Sequence, residues 1–177
     1  MKMIKPIMRL SLLTAYAIAL ASCQSATVSK DTTPASSPTI EAATAVVLLQ
    51  ELVMPPNQAR AFIQHGKVTD SVMLDKYQPW CEFEVNTLHE MASIIHADTF
   101  QIQKQVNERT GLMDGTALSA LGNPLEEFST ALYLQSAQQP DVLRLSCLQR
   151  RGSRMQTYLK LGDIQTALGK IITIKTP

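Results

Sequence analysis

The sequence predicts a mainly β fold (β-rich α+β), a single small domain of antiparallel strands with one short helix near the C-terminus. Three observations carry this expectation. Apolar and polar residues alternate with a period of two through 81–85, 100–106 and 143–147, as in strands with one buried face. Two such runs, 129–136 and 142–149, flank Gln138-Gln139-Pro140-Asp141, whose proline and aspartate favour a turn and hence a β-hairpin. Helical signals are sparse, and the best of them is a short one at 162–169. Closure of the sheet, as a sandwich or a barrel, is not readable from these patterns.

The elements follow in chain order. Residues 46–54 and 59–64 read as strands separated by Pro55-Pro56-Asn57, and His65-Gly66 ends the second. In 80–85, Cys81, Phe83 and Val85 take one parity and Trp80, Glu82 and Glu84 the other, so the second set points outward. The stretch 86–97 is ambiguous, with helical spacing at Leu88, Met91 and Ile95 but little to cap it. In 100–106, Phe100, Ile102 and Val106 share a parity with Lys104, opposite Gln101, Gln103 and Gln105. Residues 107–127 hold four glycine or proline breaks and read as a long excursion. Leu143, Leu145 and Cys147 alternate with Arg144 and Ser146. Near the end, Asp163 offers an N-cap and Gly169 a stop for the short helix, and 171–175 closes the sheet.

The N-terminus has the layout of a secretory signal. Lys2, Lys5 and Arg9 precede an uncharged run from Leu10 to Ala21, and Leu20-Ala21-Ser22-Cys23 follows. A membrane-spanning helix needs about 20 apolar residues, and Lys5 and Arg9 cut this run short. An ordinary signal cleaved near Ala21 is the other alternative, against which the apolar-x-small-small-Cys order argues. The tetrapeptide resembles a bacterial lipobox. That resemblance implies lipid on the Cys23 thiol, removal of residues 1–22 and acylation of the new amino group. Two or more acyl chains anchor stably where one does so only marginally. Gln24 after the cysteine implies outer-membrane rather than inner-membrane retention.

Residues 23–44 then form the lipidated cysteine and a flexible tether, and 45–177 the envelope domain. The run from Gln24 to Thr39 contains nothing that builds a core. As a flexible chain it spans on the order of 20–25 Å. The whole sequence carries 16 basic and 15 acidic side chains. Without Lys2, Lys5 and Arg9 the mature chain has 13 against 15, too near neutrality for a global field that recruits nucleic acid. Arg150, Arg151 and Arg154 form the one local basic cluster, which reads as solvated strand or turn residues.

With Cys23 lipidated, Cys81 and Cys147 remain as an even pair in an oxidising compartment. Both fall on the apolar parity of their strands, which predicts a disulfide in preference to two buried thiols. The pair lacks the CxxC spacing of a redox-active site.

Beyond the anchor, Pro55-Pro56-x-x-Ala59-Arg60-x-Phe62-Ile63-Gln64-x-Gly66 and Tyr77-x-Pro79-x-Cys81-x-Phe83-Glu84-Val85 stand out. Ala97-Asp98-Thr99-Phe100-x-Ile102 and Gln139-Pro140-Asp141-Val142-x-Arg144-Leu145-x-Cys147 belong with them. Over about residues 50–150 these resemble a family of uncharacterised proteobacterial lipoproteins. The resemblance implies that the two cysteines and the domain belong together, and it carries no activity.

No catalytic constellation outweighs its plainer reading. His65, His89 and His96, with Asp98 and Cys81, match no strong zinc spacing and read as surface or turn residues. Ser129 and Ser146 lack a nucleophile-elbow context. Glu82, Glu84 and Glu90 supply carboxylates for glycan cleavage, yet Glu82 and Glu84 fall on the outward parity, where solvated carboxylates are expected. No metal or cofactor is expected. Trp80, on the polar parity, and Tyr77 mark a candidate contact surface. The expected function is that of a membrane-anchored, non-enzymatic accessory or binding module with an envelope protein partner and no nucleic acid. The alternative is a cell-wall glycan-binding protein or an envelope hydrolase whose site is dispersed in sequence.

Overall fold

The computed structural model describes residues 43–112, 124–152 and 157–176. The lipobox, Cys23, Gln24, the tether up to residue 42 and Arg154 lie outside them. The described chain is mainly β, as the alternation predicts. Eight strands form one antiparallel sheet: β1 (Ala45–Leu48), β3 (Arg60–Gln64), β4 (Lys67–Thr69), β5 (Trp80–Val85), β7 (Asp98–Leu112), β8 (Leu125–Gln135), β9 (Val142–Gly152) and β10 (Ile172–Lys175). Their spatial order is β10-β1-β7-β8-β9-β5-β3-β4. A separate two-stranded ribbon pairs β2 (Leu52–Met54) with β6 (Ser93–Ile95). Helix α1 (Leu161–Leu168) lies between β9 and β10 in sequence. Among the described residues no helix is long and apolar enough to cross a membrane.

The sheet curls as a half-barrel around its core. Phe83 on β5 and Phe100 on β7 are three strands apart in the sheet, yet their rings meet edge-to-face with centroids 5.6 Å apart. A flat sheet would hold them roughly 14 Å apart at the usual strand spacing. Val46, Leu48, Leu132, Leu145 and Ile172 belong to the same core, all almost fully buried. Helix α1 adds Ile164, Ala167 and Leu168 to this core, the i, i+3, i+4 stripe of an amphipathic helix. Leu52, Met54 and Ile95 bring the inner face of the ribbon onto the same core.

Cys81 and Cys147 are direct partners in the β5–β9 ladder and form a disulfide, their Cα atoms 4.0 Å apart. The predicted hairpin is β8–β9, and Val142 N–H donates to the Gln139 carbonyl at 3.2 Å across the turn. Four local expectations are corrected. Residues 46–54 are two strands, because Leu49 N–H still bonds Ile171 O before Gln50 and Glu51 lead the chain out of the sheet. The ambiguous 86–97 stretch contains strand β6 and no helix, since pairing with β2 satisfies its backbone and buries Ile95. The register slips between Ile102 and Lys104, so a bulge at Gln103 puts Lys104 and Val106 on the face opposite Phe100 and Ile102. The excursion 107–127 is largely ladder, with Asn107 to Leu112 paired to Thr130 to Leu125. Its part from 113 to 123 lies outside the described residues.

Helix α1 also differs in its cap. Asp163 is the third residue of the helix and accepts from Lys160 N–H at 3.2 Å, whereas Gly169 ends the helix as expected. One side chain of this helix seals an edge of the sheet. Gln165 Nε2 donates to Ile172 O at 2.9 Å, and its Oε1 accepts from Ile174 N–H at 3.4 Å. The amide thus takes the place of a further strand, protecting an edge that would otherwise offer unpaired groups. Gln165→Ala is expected to lower stability by about 1–3 kcal/mol, because both groups lose their partner. A urea midpoint identical to wild type would show that water replaces the amide at no loss.

Candidate functional site

The face of the sheet opposite the core is polar and folds into a cleft. Strand register sets its layout. Arg60, Glu84, Arg144 and Tyr133 lie in one row across β3, β5, β9 and β8, with Phe62, Glu82, Ser146 and Ala131 in the next. Trp80, Leu148 and Ser129 form a third. Arg60, Glu82, Glu84, Arg144, Ser146, Ala131, Leu148 and Ser129 of these rows line a cleft of about 180 Å³ together with Glu108 and Thr110 on β7 and Glu127 on β8.

Glu82 and Glu84 do not project into bulk water as the parity suggested. They are 9% and 5% exposed, and Trp80 is 2% exposed. The reason is tertiary: Arg60 and Arg144 lie against Glu84, Arg60 and Trp80 lie against Glu82, and Ser71, Leu74 and Lys76 of the segment between β4 and β5 border Trp80 and Glu82. Gln64 Nε2 donates to Asp75 O at 2.8 Å, and Asp75 N–H donates to Gln64 Oε1 at 3.0 Å. Arg150 N–H to Lys76 O at 2.8 Å and Gln149 Nε2 to Tyr77 O at 2.7 Å fasten the segment to β9. Trp80 is therefore not a contact surface, whereas Tyr77 is exposed.

Arg60 bridges the two glutamates, with Nη1 3.3 Å from Glu82 Oε2 and Nε 3.6 Å from Glu84 Oε1. Arg144 Nη2 adds a second partner to Glu84 at 3.0 Å, and Ser146 Oγ donates to it at 3.5 Å. Trp80 Nε1 donates to Glu82 Oε1 at 3.2 Å. Burial pushes the Glu82 carboxyl above its ordinary value; the Trp80 N–H and Arg60 oppose this, and Glu84 and Glu127 add to it. The hydrogen bond to Glu84 raises Arg144 further, so the guanidinium stays charged. Arg144 Nε is buried with no hydrogen-bond partner. A mixed-charge cleft of this kind can orient a polar or charged group. Its carboxylates are held by guanidinium groups and an indole N–H.

A raised carboxyl pKa contributes stability below the ordinary value of 4.5 and loses it as pH rises through the folded value. Glu82→Gln should therefore match wild type in acid and gain on it towards neutral pH. Melting temperatures of both proteins between about pH 3 and about pH 8 test this sign. A wild type that outgrows the variant with rising pH would mean that Arg60 outweighs burial.

The other residues singled out by sequence are dispersed. His65 occupies a turn with φ 53°. His89 lies 3.8 Å from Asp141, and His96 lies 2.9 Å from Glu51. Asp98 accepts from Ser136 Oγ at 2.5 Å, which leads the interactions that lower its pKa. Cys81 is in the disulfide, and Glu90 is exposed on the loop before β6. Ser129 and Ser146 share the cleft with Glu82 and Glu84. Among the described residues no three His, Cys, Asp or Glu side chains are placed to hold a metal ion. The basic cluster is also divided: Arg150 pairs with Glu127 at 2.9 Å, while Arg151, on the other parity of β9, donates to Gln149 and to Thr157.

Arg60, Glu108 and Glu127 were not singled out as site residues by sequence, and neither was Arg144. The available signal was opposite charge at outward parity on several strands, but pairing them required the strand order. Comparison of the chain with protein-family models, curated proteins and solved structures finds no match.

Proposed function

We propose that this chain is a membrane-anchored envelope lipoprotein, similar to uncharacterised proteobacterial lipoproteins, whose domain is a non-enzymatic binding module acting through protein contacts. Lipid on Cys23 is its attachment, and Gln24 favours the outer membrane. The observation that carries the binding role is exposed apolar surface. Val53 and Ile94 are cross-strand partners, 54% and 51% exposed, and Val72, Met73 and Tyr77 are exposed on the segment before β5. Exposed apolar groups on the ribbon and on this segment favour contact with a partner.

Cys23→Ala is expected to release or mislocalise the protein, because the acyl chains on residue 23 are lost. The same comparison, with in-cell crosslinking read by mass spectrometry, should show one dominant envelope partner that is lost with the anchor. Unchanged fractionation together with an unprocessed wild-type mass would overturn the anchor.

A second reading has its own observation. The cleft brings Glu82, Glu84 and Glu127 together with Ser129, Ser146 and Thr110, and hydroxyl-rich glycans bind through such groups. Glycan binding or hydrolysis by this cleft would be lost in Glu84→Gln. The engagement of both glutamates by Arg60 makes catalysis the weaker reading.

A further inference from the structure

We infer that the outer face of the β2–β6 ribbon is the docking surface of this module, and that it takes a partner segment with an apolar centre flanked by lysine or arginine. This deepens the protein-contact reading and rests on it.

The ribbon has two unlike faces. Leu52, Met54 and Ile95 are buried in the core, while Val53 and Ile94, paired directly, face outward. Beside them on the same outer face, Glu51 Oε1 and His96 Nδ1 are hydrogen-bond partners at 2.9 Å. The segment leading into β6 adds Leu88 and Met91, 59% and 79% exposed. It runs beside the Pro55-Pro56-Asn57 turn, where Asn57 N–H donates to His89 O at 2.8 Å.

This surface is held as a unit with the β8–β9 turn. Gln139 Oε1 accepts from His96 N–H at 2.9 Å, and its Nε2 donates to His96 O at 3.0 Å. Thr87 Oγ1 donates to Asp141 Oδ1 at 2.7 Å. The apolar centre therefore sits on a braced support.

The segments that build it, 49–58, 86–98 and 136–141, carry the carboxylates Glu51, Glu90, Asp98 and Asp141 and neither lysine nor arginine. The rest of the mature chain, with its 13 basic side chains, then holds 11 acidic ones. An acidic rim repels its own copy in a two-fold dimer, where identical patches meet. It repels an anionic lipid surface for the same reason. A basic-flanked partner segment gains on both counts, through apolar burial at the centre and charge complementarity at the rim.

The test places a photoreactive residue at Val53, Ile94, Val72 or Ser129 in the full chain, in the envelope of the cell that makes it. Expected at Val53 and Ile94 is one protein adduct, roughly tenfold above that at Val72, as for a position central to an interface. The crosslinked segment should have apolar residues flanked by lysine or arginine. Glu51→Lys with Glu90→Lys should cut the adduct by about fivefold or more, since like charges then face each other. Limited proteolysis of these surface variants checks that they fold.

An adduct to a second copy, to lipid, or to a segment without basic residues would overturn the inference, as would indifference to charge reversal. Protein adducts at Ser129 or Val72 but not on the ribbon would overturn this surface and leave the protein-contact reading standing. Membrane-bound protein with only background adducts at all four positions would overturn both.

Discussion

Replacing Cys81 and Cys147 together by alanine is expected to lower the unfolding free energy by about 4 kcal/mol. The two residues are 66 apart in sequence but direct neighbours across β5 and β9. Without the bridge, the unfolded chain regains the freedom of that long loop, and the chain-entropy relation sets the magnitude. Both positions are almost fully buried, so the alanines also remove packed sulfur from the core. The pair sits behind Glu82 and Ser146 on the same strands, which links the staple to the geometry of the cleft. Guanidinium unfolding of wild type with and without reductant, beside the double variant, measures the effect. Reduced wild type should show a lowered midpoint, and the variant one at least as low. Equal midpoints for all three would show that the ladder alone holds β5 to β9.

Gly169→Ala is expected to destabilise the domain by about 2–4 kcal/mol, combining backbone strain with a steric clash. Gly169 has φ 59° and ψ −126°, a region essentially restricted to glycine. A Cβ placed there would lie 2.4 Å from the Gly66 Cα, closer than real contacts allow. Gly66 cannot retreat freely, because its N–H donates to Ala167 O at 2.8 Å and its own φ is 71°. This glycine-on-glycine contact lets the β3–β4 turn meet the end of α1. The alanine variant should show a lower melting temperature and earlier proteolysis near residues 65–66 and 169–170. An unchanged melting temperature would mean that the turn and the helix end separate without loss.

The sequence was most legible where local periodicity and side-chain chemistry agree. Alternation in 81–85 and 143–147 placed Cys81, Phe83, Leu145 and Cys147 on one buried face, and the structure joins the two cysteines there. Pro140 and Asp141 marked the β8–β9 turn, and Gly169 the end of α1. Legibility failed where an outcome depends on a distant segment. Parity separated Trp80, Glu82 and Glu84 from the core residues correctly, but parity distinguishes two faces without saying what covers either. Here Arg60 and Arg144 cover Glu84, and residues of the segment before β5, fastened through Gln64 and Gln149, border Trp80 and Glu82. The bulge at Gln103 is similarly silent, since Lys104 and Val106 fit the uninterrupted alternation and only the partner strand exposes the slip. Gly111 and the three other glycine or proline breaks in 107–127 suggested a long excursion. Residues 107–112 are instead held in a ladder with β8, reinforced by Arg109 Nη2 and Glu126 Oε1 at 2.6 Å.

The amino-acid sequence by itself determined the β-rich class, the hairpin, the short C-terminal helix and the pairing of the two cysteines. Each of these follows from interactions between near neighbours in sequence or, for the cysteines, from the apolar parity both occupy. Only the tertiary structure decided the curl of the sheet, the pairing of β2 with β6, and the meeting of Arg60 and Arg144 on Glu84. Those contacts join residues tens of positions apart, and their free energy depends on strand order, register and desolvation. None of these is a property of a short stretch of chain.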